Sequence, residues 1–525
     1  MHVPVRYCPP GTRFSTPQSV HHKVCHPVKQ KPLLIALAAI GSAALAYTGA
    51  SWWAGKQAEI TLAKQHQLVA DLPYFVVKSR QYTRGIFSSQ ERTTIALSPN
   101  LIKPYHILML EGLGKIKPEM TYTQTIKHGP LPLLLSGNFS PFKAVVTTDI
   151  EFTAETQAFL KKFFGEQKPL QIENRIRFDD DGVVLVKIPS FNHEEALSKV
   201  KAVWQGMDAS ISYGGDFNSI AISAVAPGLH FEANDKVTLD VKELRFESSN
   251  TRGAAGIMLG EGKMTLASAA FTQLEKDHPM DVKMDGLSYQ VRTSAEGEFI
   301  NSGGDIDLKT LALNGKNYGP AALSVSANHL HGPTLFKLSK AMAQVQREVA
   351  DPAEQAGKML KVFRNEGLPL LRNDPSLAIK RLSVKLPEGE VSLQAALSLK
   401  GFEDKDLDNP IKLLEKLQAK ADLKVPKQVV ETVVLWKARG AIAIDTEEGE
   451  QPDTEELDNL ARNLMESNIR KLTEQNLIRA DGDMLSSSAQ WLGGSLTVNG
   501  TPIPLPWQMG LPAAAATVPP AEPAN

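Results

Sequence analysis

Runs of alternating apolar and polar residues recur along most of the chain and predict β-strands. Residues 74–82 and 90–97 alternate on either side of Gly85, which predicts two strands joined by a bend. The runs IENRIRF and VVLVKIP flank the tip at 179–182, whose Asp-Gly pair is typical of a hairpin turn. Alternation continues from about residue 207 to 330. We therefore expect antiparallel meanders with one dry and one wet face.

One eight-residue phrase occurs three times, at 239–246, 306–313 and 377–384. We interpret each copy as a strand with apolar residues at every second position, because a strand buried on one face has that period. Leu308 and Ile379 are then inward-facing residues. Two explanations stay open: a true structural repeat, or the chance recurrence of such phrases in any β protein.

Two segments, 334–366 and 453–478, have helical spacing of apolar residues instead. An amphipathic helix needs a cover for its apolar face. We expect both helices to pack on their own sheet, and the alternative is that one of them forms a dimer contact. The apolar faces contain Leu335, Leu338, Met342, Val345 and Val349 in the first segment, and Leu457, Leu460, Leu464 and Leu472 in the second.

The most apolar run begins at Leu33 and ends at Ala54, and its 22 residues include no charged residue. As a helix it is long enough to cross a ~30 Å hydrocarbon layer, and Trp52 and Trp53 suit the interface at its end. The charged residues that precede it are all basic, so the positive-inside rule keeps the N-terminus in the cytoplasm. This favours a retained signal anchor, and the alternative is a signal peptide cleaved after Ala46.

Composition narrows the function classes. The 57 basic and 58 acidic residues give a net charge of −1, so we expect no nucleic-acid partner. Cys8 and Cys25 both precede the anchor, which leaves the exported part without disulfides. Residues 1–27 do not resemble a domain, and a true start further downstream is one explanation.

These patterns together predict an α+β protein with an N-terminal transmembrane helix and a large β-rich domain of antiparallel meanders with two helical insertions. The predicted segments are a basic cytoplasmic segment at 1–32, the transmembrane anchor at 33–54, a juxtamembrane helical stalk at 55–72, a β-rich region at 73–333, a mixed helix and strand region at 334–508 and a disordered tail at 509–525.

Candidate chemistry is sparse. The segment 260–265 approaches a phosphate-binding loop, but Met264 replaces the required hydroxyl, so we interpret it as a turn between strands. His329 and His331 would point to one face of a strand, yet no third metal ligand has a recognisable spacing. The acids at 179–181 lack the spacing of a calcium loop and suit a solvated hairpin tip. We therefore predict no cofactor, no metal site, no catalytic residue and no enzyme.

Three phrases carry a resemblance to a known family. They are YTRGIFSS at 82–89, KHGPL at 127–131 and GSLTVNG at 494–500. In this order and spacing the chain, from about residue 28 to 508, resembles the YdgA-like family of Gram-negative envelope proteins, a domain of unknown function. The resemblance implies an inner-membrane protein with a large periplasmic domain that is able to self-associate, and it brings no reaction or catalytic residues. By themselves, Arg84-Gly85 and Asn499-Gly500 suit turns, and His128-Gly129-Pro130 suits a strand end.

Two functions remain open on the sequence alone. The first is a non-catalytic envelope protein whose half-buried strands form an apolar groove for a lipid or another extended hydrophobic molecule. The second is a self-associating periplasmic scaffold or assembly protein, for example a homodimer that pairs through strand edges and amphipathic helices. An enzyme without a recognisable motif is a distant third. The pattern cannot separate the first two, because an apolar strand face is the same whether a lipid or a second subunit covers it.

Overall fold

The computed structural model describes residues 31–71, 75–97, 119–197, 199–274, 279–349, 351–445 and 454–505. The chain divides into two units, Met1–Gly49 and Ala50–Asn525. The described part of the first unit is the beginning of helix α1, and the second unit contains the rest of α1 and every described strand. Among these residues, no helix combines the length and the hydropathy that a membrane span requires. Cys8, Cys25 and the predicted tail at 509–525 lie outside the described residues.

The described residues form eight α-helices, several of which begin at recognisable caps. The Asp351 side chain accepts a hydrogen bond from the Glu354 N–H, and Asn409 caps a later helix in the same way. The helices are α1 (Lys31–Asp71), α2 (Ala154–Phe164), α3 (Gly332–Glu348), α4 (Pro352–Glu366), α5 (Leu368–Leu371), α6 (Pro410–Lys416), α7 (Lys427–Asp445) and α8 (Thr454–Glu474).

The described strands number 24 and pair only in antiparallel fashion. The first twelve are β1 (Phe75–Arg84), β2 (Ser88–Leu97), β3 (Glu119–His128), β4 (Ala144–Glu151), β5 (Gln171–Ile176), β6 (Gly182–Ile188), β7 (Phe191–Glu195), β8 (Val200–Trp204), β9 (Met207–Tyr213), β10 (Ser219–Ala233), β11 (Val237–Arg252) and β12 (Met258–Gln273). The others are β13 (Met280–Glu296), β14 (Phe299–Leu308), β15 (Thr310–Leu313), β16 (Lys316–Tyr318), β17 (Ala321–His331), β18 (Ser376–Leu386), β19 (Gly389–Leu399), β20 (Leu417–Pro426), β21 (Arg479–Asp481), β22 (Met484–Leu492), β23 (Ser495–Val498) and β24 (Thr501–Ile503).

One long sheet connects these strands. Its order is β1-β2-β3-β4-β5-β6-β9-β10-β11-β12-β13-β14-β17-β18-β19-β20-β22-β23-β24, and the remaining short strands extend β10, β13 and β22 at their ends. The predicted hairpins β1–β2 and β5–β6 are confirmed, as is the alternating region that now contains β9 to β17. Asn499 and Gly500 both have positive φ between β23 and β24, so the predicted two-residue turn is also confirmed.

The recurrent phrase is not the uninterrupted alternation that we expected. In the copy at 377–384, Lys380 and Arg381 form a β-bulge, which adds one residue to β18 relative to its neighbours. In the copy at 239–246, Glu243 has a positive φ and both neighbouring strands skip it. In the copy at 306–313, the strand is interrupted, since β14 ends at Leu308 and β15 begins at Thr310. All three copies therefore share an irregularity at their centre, where two polar residues replace the expected alternation.

The helical segments also differ from their predictions. The first is a pair, α3 and α4, because Pro352 disfavours helical backbone before it and Asp351 caps a new helix. Leu338, Val345 and Val349 of its predicted apolar face are buried, as expected.

The second segment is one helix, α8, but its predicted apolar face is not the buried one. Ala461 and Met465 are buried, whereas Leu460, Leu464 and Leu472 are exposed. The reason is that α8 packs on α7, where Arg439 of α7 and Asp458 of α8 form an ion pair. The prediction that this leucine face packs on the sheet is wrong for the described residues.

Candidate functional site

A single row of paired residues runs across 17 strands of the sheet, from β2 to β23, and defines one of its faces. Residues that pair directly in an antiparallel sheet project to the same side. We call this side the apolar face, because its residues are apolar or small with few exceptions. The row is Ser89, Ile126, Val146, Asn174, Val184, Ile211, Ile222, Ser248, Gly262, Val291, Gly304, Val325, Ile379, Ala395, Ala421, Ala489 and Val498.

Between β13 and β23 the apolar face forms a groove of about 790 Å³, a volume within the range of ligand sites in proteins. Small residues of the central row, among them Gly304, Ala395, Ala421 and Ala489, form its floor. Larger side chains of the two flanking rows form its walls, namely Tyr289, Ile306 and Leu323 on one side and Leu377, Leu397, Trp491 and Leu496 on the other.

The groove is open to solvent, and its chemistry is almost entirely apolar. Leu377 keeps 51% of its surface exposed, and Tyr289 and Leu397 are exposed to a similar degree. The Trp491 indole N–H donates to the carbonyl of Leu414 at 2.8 Å, so its polar atom is already satisfied. Such a surface attracts an apolar molecule through the hydrophobic effect, and a single charged residue, Lys420, is among those that line it.

The bulge in β18 changes which residues of this strand share the apolar face. Ile379 pairs with Ala395, and Leu382 pairs with Leu393, so two residues of β18, Lys380 and Arg381, stand opposite one residue of β19. The extra residue returns Leu382 to the face that Ile379 occupies. Of the two residues predicted to face inward, Ile379 lines the groove, whereas Leu308 pairs with Ala321 on the same face beyond the lining.

At the other end of the sheet, helix α1 covers the same apolar face. Ala58 and Leu62 of α1 are buried against Ile126, Val146 and Ile176 in one cluster. The segment predicted as a helical stalk is therefore part of the core of this unit. This role was not predictable from the sequence, because a short run with few large apolar residues gives only a weak amphipathic signal.

A buried carboxylate fixes the far part of α1. Glu91 of β2 has no exposed surface, and it accepts hydrogen bonds from Arg80 at 2.8 and 3.0 Å and from Thr93 at 3.1 Å. His66 of α1 donates to the same carboxylate and stacks on Tyr122. Burial alone would raise the pKa of Glu91, but the hydrogen bonds from His66 and Arg80 hold it at about 2.

A second polar cluster fixes the middle of α1. The Lys143 ammonium is only 2% exposed, and it pairs with Asp180 and donates to Thr61 of α1 at 3.1 Å. The Thr61 hydroxyl in turn donates to Asp180 at 2.6 Å. Burial tends to raise the pKa of Asp180, but its hydrogen bonds from Lys143 and Thr61 outweigh this and lower it. The hairpin tip predicted to hold solvated acids thus supplies one structural ion pair.

Two of the three phrases that carry the family resemblance meet α1 where it joins the sheet. Ser89 and His128 are buried and linked at 3.0 Å, and the other ring nitrogen of His128 donates to the Ser51 carbonyl at 2.9 Å. Burial lowers the pKa of His128, which favours the neutral ring, and a neutral ring with its proton on Nδ1 accepts the hydrogen bond of the Ser89 hydroxyl at Nε2. Gly55 lies against this ring, where a Cβ atom would stand 2.5 Å from it. Gly129 lies as close to Ser51 and has a φ of +140°. These phrases build a helix-docking site in addition to the turns and the strand end that we predicted.

The remaining sequence candidates lie elsewhere and are engaged in structural contacts. His329 stacks on Phe299 with its ring centre 3.8 Å away, and its Nδ1 lies against the Asn373 carbonyl, while His331 bonds to Thr334. The described residues include no group of three or more side chains able to hold a metal ion. The segment 260–265 is the interior of β12, so its prediction as a turn is wrong.

Gly260 has a specific role within strand β12. A Cβ atom at this position would stand 2.0 Å from the Ser249 carbonyl oxygen, so glycine permits a close approach of two strands. Gly260, one of the two glycines that suggested a turn, thus serves strand pairing.

Comparison with known proteins agrees with the resemblance seen in the sequence. The chain is 24% identical to Protein YdgA of Escherichia coli (strain K12), over 94% of this chain and 98% of that protein. No solved structure gives a significant match. Residues 30–506 match the model of a family described as bacterial protein of unknown function, DUF945. With most of its length matched, the chain belongs to the DUF945 family, to which the YdgA-like resemblance had pointed.

Proposed function

We propose that this protein is a non-catalytic, membrane-anchored envelope protein that holds the acyl chain of a lipid, or another extended apolar molecule, in the apolar groove. In this proposal the helix that begins at Leu33 and ends at Ala54 anchors the chain in the inner membrane, with the N-terminus in the cytoplasm and the β domain in the periplasm. The uncharged run and its basic N-terminal flank support this topology.

One observation carries the binding proposal: the groove is the uncovered continuation of the face that α1 occupies elsewhere. Where α1 lies, the apolar row is buried by Ala58 and Leu62. Between β13 and β23 the same rows continue with a floor of small residues and walls of large ones. An elongated apolar molecule on this floor would remove wall residues such as Leu377 from water, as α1 does for its own part of the sheet.

The dimensions suit an acyl chain. Eight strands from β13 to β23 line the groove, and with a spacing of about 4.8 Å between strands its floor is about 34 Å long. A chain that crosses one leaflet of a ~30 Å hydrocarbon core is about 15 Å long. The floor therefore has room for two such chains in line, and each buried methylene contributes about 0.8 kcal/mol.

The experiment is native mass spectrometry of the detergent-extracted full-length protein, followed by solvent extraction of any bound molecule. We expect phospholipid or free acyl chains in stoichiometric amount. Ile379→Asp places a charge on the groove floor and should remove the bound molecule, because an acyl chain cannot solvate a carboxylate. Ser392→Asp puts the same charge on the opposite face of the adjacent strand and should leave it in place. A lipid-free protein, or equal loss in both variants, would contradict the proposal.

A specific observation favours the scaffold function as second candidate. Trp436 of α7 is 72% exposed, and Leu460 and Leu464 of α8 are also exposed. A second copy or another periplasmic protein could cover this helical surface, as amphipathic helices commonly do. A lipid-free dimer in the mass spectrum, dissociated by Leu460→Asp with Leu464→Asp, would support the scaffold over the groove.

A further inference from the structure

Apolar side chains crowd one end of the sheet, beside the place where α1 enters the β domain. Ile86 and Phe87 form the turn between β1 and β2, and Leu134, Leu135 and Phe139 lie in the segment between β3 and β4. All five are exposed, and Leu135 has a relative exposure of 103%. We call these five residues the loop patch.

The two parts of the loop patch project from the same end of the sheet. The His128 N–H donates to the Phe87 carbonyl at 3.0 Å, so the end of β3 lies directly beside the β1–β2 turn. The Gly129 N–H donates to the Lys143 carbonyl at 3.2 Å, which closes the base of the second loop. The loop patch is therefore one surface built from two loops.

This surface has an unusual lack of charge. The 14 residues from 129 to 142 include no Asp, Glu, Lys or Arg, although 22% of the chain is charged. Basic side chains lie around it, since Lys56 and Lys127 are exposed and Arg84 lies over the Trp52 ring at 5.6 Å, where it also pairs with Glu59. An exposed apolar surface with basic residues beside it suits a lipid interface with acidic headgroups.

The position of the loop patch along α1 identifies its partner. Gly129 lies against Ser51, and His128 lies against Gly55, so these loops stand at the same level of the helix as Trp52 and Trp53. The apolar run of the proposed anchor ends at Ala54. A bilayer that takes in this run has its interface at that level.

We infer that the loop patch dips into the membrane interface and seats the β domain on the bilayer. The inference rests on the proposed anchor and adds a second point of contact, made by the folded domain itself. A helix alone leaves the domain free to tilt, whereas apolar side chains in the interface around it oppose tilting, because each would have to leave the lipid. The domain would thus have a fixed orientation at the membrane.

The test uses the full-length chain with Cys8→Ser and Cys25→Ser, reconstituted in vesicles of phosphatidylcholine and the acidic lipid phosphatidylglycerol. A single cysteine replaces either Leu135 or Leu197 and carries an NBD fluorophore. Leu197 is the matched control, because it is also a leucine outside the helices and strands and is 99% exposed. Part of the lipid is then replaced by phosphatidylcholine with brominated acyl chains, which quench a fluorophore that lies among them.

We expect a blue shift and loss of emission at position 135 and neither change at position 197. Vesicle flotation without quenching at 135 would overturn the loop-patch inference and leave the anchor intact. Failure of the protein to float with the vesicles would overturn the anchor and the inference together. Protection of position 135 from aqueous iodide without quenching by bromine would show that protein covers the patch, which also overturns it. Phe139→Cys repeats the measurement should the label at 135 perturb its loop.

Discussion

The small floor residues of the groove allow its binding capacity to be tested without adding a charge. Ala421 lies at the centre of the floor, paired with Ala395 on one side and Ala489 on the other. Ala421→Phe places a ring across this floor while the open groove leaves room for it, so folding should be retained. The ring occupies about one strand spacing, ~4.8 Å, and displaces about three methylenes of a bound chain. At about 0.8 kcal/mol each, the loss is about 2.4 kcal/mol, or roughly 60-fold in Kd.

The assay is a fluorescence titration of the detergent-solubilised full-length protein with a BODIPY-labelled fatty acid. Gln394→Phe is the matched control, because it introduces the same ring on the opposite face of the neighbouring strand, where Gln394 pairs with Asp422. We expect its Kd to equal that of the unmodified protein. Unchanged binding by Ala421→Phe, with circular dichroism and urea midpoint also unchanged, would refute the idea that the floor holds the chain. Equal weakening by both variants would refute it as well.

Three further predictions concern the docking of α1, and each is measured by urea unfolding. The pKa of Glu91 is about 2 in the folded protein and 4.5 as a free group, so its stabilisation is complete above pH 4.5 and is lost as the pH falls through 2. Glu91→Gln should therefore flatten the dependence of unfolding free energy on pH in that window. An unchanged pH dependence would contradict the assigned role. Asp180→Ala leaves the buried Lys143 ammonium without its carboxylate and should lower the free energy of unfolding by about 3 kcal/mol. Lys143→Met in the same background should restore part of this stability. Additive destabilisation by the two substitutions would argue against the ion pair. Gly55→Val forces a side chain into the His128 ring and should cost about 1–3 kcal/mol, and a neutral effect would mean that the helix does not dock there.

The sequence predicted well those features that depend on near neighbours along the chain. The hairpins at Gly85 and at 179–182, and the turn at Asn499-Gly500, follow from residue types whose backbone preferences act over two to four residues. The antiparallel β-rich class also follows, because alternation with a period of two is a local consequence of strand geometry. The family resemblance drew on phrases of the same short range.

The candidate site could be foreseen only in part. A groove lined by inward-facing strand residues was a hypothesis from the alternation, and Ile379 does line one. The phrase that suggested it was expected to alternate regularly, whereas each copy has two successive polar residues at its centre, and the structure has an irregularity there. The loop patch, and the exposed leucines of α8, depend likewise on which neighbours happen to cover a surface.

The amino-acid sequence by itself thus determined most of the strands, the hairpin turns and which side of a strand is apolar. Tertiary structure alone decided that one row of residues continues from Ser89 to Val498, that α1 closes one end of this face, and that the other end stays open. The physical reason is that an apolar strand face has the same pattern under a helix, under a ligand or in water. Its cover is chosen by contacts between residues far apart in the chain, such as those of Glu91 and Lys143 with α1, and these contacts leave no periodic signal in the sequence.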